Sequence, residues 1–156
     1  MAIELTPAER WDLLDEKMVM RLSTVDPSGR PHVVPIWYYA HRKNNAVYFS
    51  TPEDTRKARD VEEFPKASLT VDDGEYYFEL RAVVLEGDVS RVEQQDEREH
   101  VEREWCGKYV GQESRPEYRD LLYQDRPGDW FRVEPGRWLS WDNAKIDLER
   151  LKKQRG

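Results

Sequence analysis

The sequence predicts a β-rich α+β fold: a barrel or sandwich of short antiparallel strands, with short helices between the strands and at both ends. Three observations carry this. Apolar and polar residues alternate in short runs, with a turn signal roughly every 8 to 12 residues. Gly, Pro, Asn and Asp cluster between those runs, where turns need positive φ or a preset φ. Helical periodicity is confined to a few short, mostly charged segments.

The first element is a helix over 6–16. Thr6 supplies the N-cap, Pro7 sits in the first turn where a missing N–H costs nothing, and Glu9 completes a capping box. From Met18 the pattern is that of a strand, with Val19, Arg21, Ser23 and Val25 on one face and Met20, Leu22 and Thr24 on the other. Asp26-Pro27-Ser28-Gly29 turns the chain into a return strand over 31–40, and Lys43-Asn44-Asn45 turns it again into a strand over 46–50. A short helix over 55–64 ends at Pro65 and leads to a strand over 67–71. After Asp73-Gly74, strands over 76–86 and 88–92 meet at Gly87, which is a tight joint, a bend or a bulge. Helices are expected over 93–109 and 116–123, with a polar loop between them, and Asp125-Arg126-Pro127-Gly128 resets the chain. Strands over 130–133 and 137–141, parted by Pro135-Gly136, and a terminal helix over 144–153 complete the reading. The sheet thus has at least six strands.

The chain of 156 residues, 38% hydrophobic and with six Trp, eight Tyr and four Phe, is expected to form one domain over 1–156 with a real core. A formal charge of −7 argues against nucleic acid, which is bound by clustered Lys and Arg. A small molecule is the expected partner. No stretch approaches the roughly 20 apolar residues of a membrane span, and the first residues lack the pattern of a signal peptide, so no membrane is expected and the cytoplasm is the expected location. Cys106 is the lone cysteine, and His32, His41 and His100 show no ligand spacing, so no metal is assigned. No Gly-x-Ser-x-Gly elbow marks a hydrolase.

Two constellations carry chemistry. Ser50 and Thr51 end a strand just before a helix that begins near Thr55, so Arg56 and Lys57 stand beside hydroxyls and the free N–H groups of a first helical turn. They form an anion site fit for phosphate, or they pair with Glu53, Asp54 and Asp60. The strand at 31–40 is apolar on both faces, so it is either buried or covers a flat ring, and Pro31 and Pro35 require an edge, a bulge or a ligand-facing gap. Trp138 and Trp141 flank a late Arg137-Trp138-Leu139-Ser140-Trp141-Asp142 segment suited to sealing a pocket or a subunit contact. The charged series over 93–104 reads as a solvated helix face.

In this order, the hairpin Ser23-Thr24-Val25-Asp26-Pro27-Ser28-Gly29-Arg30-Pro31-His32-Val33-Val34-Pro35-Ile36-Trp37, the strand Val47-Tyr48-Phe49-Ser50-Thr51 with Lys57 six residues on, the segment over 64–73, the bend Leu85-Glu86-Gly87-Asp88-Val89 and the late Ser140-Trp141-Asp142 resemble the superfamily of pyridoxamine 5'-phosphate oxidase and the flavin- or deazaflavin-dependent oxidoreductases. The likeness runs over about residues 10 to 145. It implies a split β-barrel, the FMN-binding-like Greek-key barrel, and a homodimer with two sites at the subunit interface holding FMN or coenzyme F420. By position, Val33, Val34 and Pro35 would border the ring, Ser50 and Thr51 would contact the cofactor, Arg56 and Lys57 would bind its phosphate, and Trp141 would approach from the other subunit. Trp37, Tyr38, Tyr39 and Trp105 are candidates for a substrate wall. The Arg-rich C-terminal substrate segment of pyridoxamine phosphate oxidase is missing, and the Gly29-to-Trp37 form is similar to the deazaflavin-using branch, which points to F420 ahead of FMN. The implied activity is hydride transfer between that cofactor and a small conjugated organic substrate, with the cofactor carrying the chemistry and no catalytic residue assigned. The alternatives are a flavin, deazaflavin or haem carrier or sensor that does not turn over, and a domain that has lost its cofactor and serves only in interactions.

Overall fold

Helix α1 (Pro7–Glu16) begins as its sequence dictates: the Thr6 hydroxyl accepts from the Glu9 N–H at 3.2 Å while the Glu9 carboxylate accepts from the Thr6 N–H at 2.6 Å. Glu9 also pairs with Lys145, whose hydrogen bond leads the causes that lower its carboxyl to about 2. The computed structural model describes residues 3–109 and 128–155. The helix expected over 116–123, the polar loop before it and all of the 125–128 reset but Gly128 lie outside the described residues.

Seven strands follow among the described residues: β1 (Met20–Val25), β2 (Pro31–Ile36), β3 (Tyr39–His41), β4 (Ala46–Thr51), β5 (Lys66–Asp73), β6 (Arg81–Arg91) and β7 (Asp129–Asp142). They form one antiparallel sheet in the order β2-β1-β5-β6-β7-β4-β3. Helix α2 (Arg56–Glu63) follows β4, α3 (Gln95–Tyr109) follows β6, and α4 (Leu148–Arg155) ends the chain. The two edge strands, β2 and β3, are neighbours in sequence, joined only by Trp37 and Tyr38. In a flat seven-stranded sheet they would lie roughly 29 Å apart, whereas three peptide steps span at most about 11 Å. The sheet must therefore curl until its edges meet.

Curling encloses the main core. Met20, Leu22, Val47, Phe49, Leu69, Val71, Val83, Leu85, Phe131 and Val133 point inward, joined by Leu13 and Leu14 of α1 and by Ala58 and Val61 of α2. A second cluster lies on the outer face of β4 and β7, where Ala46, Tyr48 and Trp130 meet Val92 and Val101. That double coverage explains why β4 is buried on both faces.

Three expectations are corrected. The strand expected over 31–40 is two strands on opposite edges, because the chain switches partners at Trp37–Tyr38. The strands expected over 76–86 and 88–92, and those over 130–133 and 137–141, run through as β6 and β7, and of the alternatives at Gly87 the bulge holds: Gly87 pairs with Pro135 and Glu86 with Arg137, so Gly136 is the extra residue. Only glycine fits at 87, since a Cβ there would lie 2.1 Å from the Glu134 carbonyl oxygen. Residues 77–79 form a 3₁₀ turn rather than the start of β6, and a second 3₁₀ turn over Asn143–Lys145 precedes α4.

The edge junction is pinned by Tyr38, fully buried, with its hydroxyl 2.6 Å from the Leu14 carbonyl and 2.9 Å from that of Lys17. Its own N–H donates to the Tyr109 hydroxyl at 2.9 Å, tying the junction to the end of α3. Lys108 lies over the Tyr38 ring at 4.0 Å and donates to the Leu14 carbonyl at 3.3 Å. Tyr38→Phe should cost about 1 to 2 kcal/mol in urea unfolding, because a buried hydroxyl bond is lost with no water to replace it. Burial lowers the Lys108 ammonium from 10.5 to about 8. Between those values the unfolded chain binds more protons than the folded one, so the group's contribution to stability grows as pH rises from 8 to 10.5 and is lost as pH falls through 8. Wild-type stability relative to Lys108→Met should therefore increase across that window; parallel unfolding curves would refute it.

Candidate functional site

The register of the sheet places a gap. β3 pairs with β4 through Tyr39 and Tyr48, and two further steps would set Trp37 opposite Ser50. Pairing stops there, because β2 has turned away to pair with β1. From Phe49 to Thr51, β4 is paired with β7 on one side only. The split between β2 and the end of β4 leaves two backbone edges facing it, and the prolines of β2 suit a strand with a single partner.

The end of β4 passes directly into α2. Thr51 is 1% exposed, and its hydroxyl lies 2.8 Å from that of Thr55, the N-cap of α2, which accepts from the Ala58 N–H. Ser50 is half-buried and abuts Gly128: a Cβ on that glycine would sit 2.6 Å from the Ser50 hydroxyl. Thr51 thus braces the helix start, while Ser50 stands where the split opens.

Arg56 and Lys57 begin α2 and differ sharply in surroundings. The Arg56 guanidinium donates to Asp26 at 3.2 Å and lies 3.9 Å from Asp60. Asp26 anchors the β1–β2 turn, accepting from the Ser28 hydroxyl and from the Ser28 and Arg30 N–H groups, and these bonds hold its carboxyl below the usual range. Lys57 is half-buried with no hydrogen bond or ion pair to any described residue, and burial pushes its ammonium below the ordinary lysine range. A desolvated cation without a counter-charge is costly. It stands beside the free N–H groups of the helix start, where an anion is favoured.

The split is stitched at this end by Asp60, 4% exposed on α2. Asp60 accepts from the Thr24 hydroxyl of β1 at 2.7 Å and faces His32 Nδ1 of β2 at 3.8 Å. The structure thereby gathers Arg56 and Asp60 with the start of β2, and Lys57 follows Arg56 on the first turn of α2. Val33, 60% exposed, and Pro35 turn outward along that edge, whereas Val34 packs on the core.

At the other end, Trp37 is 39% exposed and stacks on Tyr109 at 4.5 Å with the rings 8° from parallel. Trp105 lies 5.5 Å from Trp37 and 6.1 Å from Trp130, so these rings form one aromatic wall. Tyr39 packs instead beside His41, His100 and Tyr48. Tyr38 is corrected: with no exposed surface and its hydroxyl bonded to backbone, it belongs to the core and not to a substrate wall. Trp141 of β7 pairs with Ala82 of β6, eleven residues beyond the Trp130 that stands opposite Ser50. Roughly 35 Å of strand separates them, so Trp141 does not join the split of its own chain.

Asp60, His32, Asp26 and Tyr109 escaped the sequence reading as site residues. Their only local signal is the i,i+4 spacing of Arg56 and Asp60. His41 and His100 face each other at 5.0 Å between ring centroids, and the Arg103 guanidinium lies 3.1 Å from His100 Nδ1, which fixes the lone pair there. Among the described residues no group of three His, Cys, Asp or Glu side chains could hold a metal ion. No helix among them is long and apolar enough to cross a membrane.

Comparison with known proteins agrees with this architecture. The family described as pyridoxamine 5'-phosphate oxidase matches residues 6–142. No curated protein matches the sequence. Among solved structures, a conserved hypothetical protein of Mycobacterium tuberculosis is similar at 26% identity and a TM-score of 0.78, over 92% of this chain and 89% of that one. The heme storage protein HutZ of Vibrio cholerae is 21% identical with a TM-score of 0.70, over 90% of this chain and 96% of that one. An FAD-binding protein of Mycobacterium smegmatis is 21% identical with a TM-score of 0.63, over 90% of this chain and 97% of that one.

Proposed function

The chain belongs to the pyridoxamine 5'-phosphate oxidase family, and from that premise we propose an oxidoreductase that holds FMN or coenzyme F420 in the split and serves a small conjugated organic substrate. The observation that carries this reading is Lys57: a half-buried ammonium with no partner among the described residues, at the head of the helix that follows the open end of β4. A phosphate would restore its lost solvation and also meet the first N–H groups of α2. The residues present therefore fit a flat ring with an anionic tail.

A bound flavin or deazaflavin supplies hydride transfer, and the protein's part is to bind, orient and exclude water. Lys57 holds the tail, with Arg56 behind it and Ser50 at the mouth. Val33 and Pro35 offer an apolar rail, and the exposed face of Trp37, backed by Tyr109 and Trp105, walls the substrate end. The Tyr38 hydroxyl is engaged within the core, so water delivers the proton in this reading. A homodimer belongs to the proposal: Trp141, out of reach of its own split, would close that of a partner. The reading places this dimer of one-domain chains in the cytoplasm.

The heme storage and FAD-binding proteins among the similar structures support a second reading, a carrier or sensor that holds flavin, deazaflavin or haem without turnover. Steady-state reduction of a panel of enones and quinones separates the two: acceleration selects the enzyme, and ligand binding without acceleration selects the carrier.

Titration of the purified protein with FMN and with F420, followed by absorbance and ring fluorescence, should show saturable binding of one of them. Lys57→Ala should weaken it about ten- to a hundredfold, the effect of losing a charge-assisted phosphate bond. An unchanged dissociation constant would remove Lys57 from the site.

A further inference from the structure

We infer that His32 is a proton-controlled regulator of anion binding in the split; this rests on the cofactor reading above. Four charged side chains frame the anionic end: Arg56 and Lys57 against Asp26 and Asp60, which balance to a formal charge of zero while His32 is neutral. Asp60 is the pivot. It is nearly fully buried, its charge is shared between two candidate cations, and both approach the same oxygen: Arg56 Nε at 3.9 Å and His32 Nδ1 at 3.8 Å. That oxygen also accepts from Thr24 at 2.7 Å, which holds the carboxylate in place between the two.

His32 Nδ1 is itself a buried nitrogen without a hydrogen-bond partner, which is an unusual and costly condition in a packed structure. The side chain as a whole is 24% exposed, so solvent protons reach the ring. The groups that face it are Asp60 and Arg56 from α2 and the Thr24 hydroxyl from β1, with Asp26 of the β1–β2 turn acting through Arg56. A neutral imidazole leaves Asp60 to draw on Arg56. An imidazolium answers Asp60 directly, brings the end of the split to a net charge of +1, and leaves Arg56 with Asp26 as its one remaining carboxylate, so that the site favours a ligand anion more. By linkage, a bound anion must in turn favour protonation of His32 to the same extent.

The test measures dissociation constants of FMN and F420 at about pH 8 and about pH 5.5, across the range in which histidine ordinarily titrates, for wild type, His32→Gln and Asp60→Asn. The titration of the FMN phosphate itself is common to all three proteins and cancels in the comparison. Wild type should gain about two- to fivefold in affinity over His32→Gln on going to the lower pH, the size of one partly solvated charge contact. Asp60→Asn should abolish the gain. His32→Gln with the same pH dependence as wild type would overturn the inference while leaving the cofactor reading standing; no binding of either molecule at any pH would sink both. Should Asp60→Asn fail to fold, the NMR signals of the His32 ring in the wild type decide: at a fixed, mildly acidic pH, saturating inorganic phosphate must move them toward the imidazolium position, and unmoved signals refute the linkage.

Discussion

The connection of two residues between strands at opposite edges of the sheet is the constraint on which the rest of this structure depends. Trp37 and Tyr38 can bridge β2 and β3 only if the sheet curls until its edges touch, and they touch at that one place. Below the junction the edges diverge, because β2 must pair with β1 and β4 must continue into α2. The gap is therefore a consequence of closure. The two bridging side chains divide the work: Tyr38 enters the core and is held by the α1 carbonyls and by Tyr109, while Trp37 is left at the surface where the split begins.

Charge around that split follows a similar economy. The chain is acidic, yet its arginines near this end are answered by carboxylates: Arg91 meets Glu53, Glu62 and Asp129, and Arg56 meets Asp26 and Asp60. Such half-exposed pairs add little stability each. Their larger effect is to neutralise the local surface, so that Lys57, a desolvated ammonium without a partner among the described residues, weighs heavily in the field an incoming anion meets. Replacing water by fixed N–H groups of the helix start at the same spot makes the preference directional.

Local chemistry made much of the fold legible. The capping box at Thr6, the Asp26-to-Gly29 turn and the Thr55 helix start are decided by neighbours within four residues, and sequence states them outright. The partner switch at Trp37–Tyr38 is different in kind, since apolar alternation runs through it unbroken and only tertiary pairing reveals the break. Gly87 and Pro135-Gly136 look like ends of strands but are tolerated inside long ones, because a bulge absorbs the extra residue. At the site, Arg56 and Lys57 read alike in sequence. Adjacent helical residues point about 100° apart, and that rotation gives Arg56 two acids and Lys57 none among the described residues. Asp60 reads in the sequence as a pairing partner for Arg56 and Lys57; its burial against Thr24 and His32 involves residues that only the fold brings near.

The spacing of the two ends of the split limits what can lie in it. Pro31, beside the Asp60–His32 contact, and Trp37, on the aromatic wall, are six residues apart along β2, so roughly 20 Å of exposed strand edge separates them. A free phosphate or a small carboxylate would satisfy Lys57 and leave the rail of Val33 and Pro35 and the face of Trp37 in water. A large planar ring without a charged tail would do the reverse. An elongated molecule with an anion at one end and a flat apolar group at the other would use both, as the cofactors of the proposed reading do. In the proposed reading this geometry sets the protein's part in the chemistry: with the anionic end held by charge at the start of α2, the reactive ring would lie toward the aromatic end, and a substrate would meet it there.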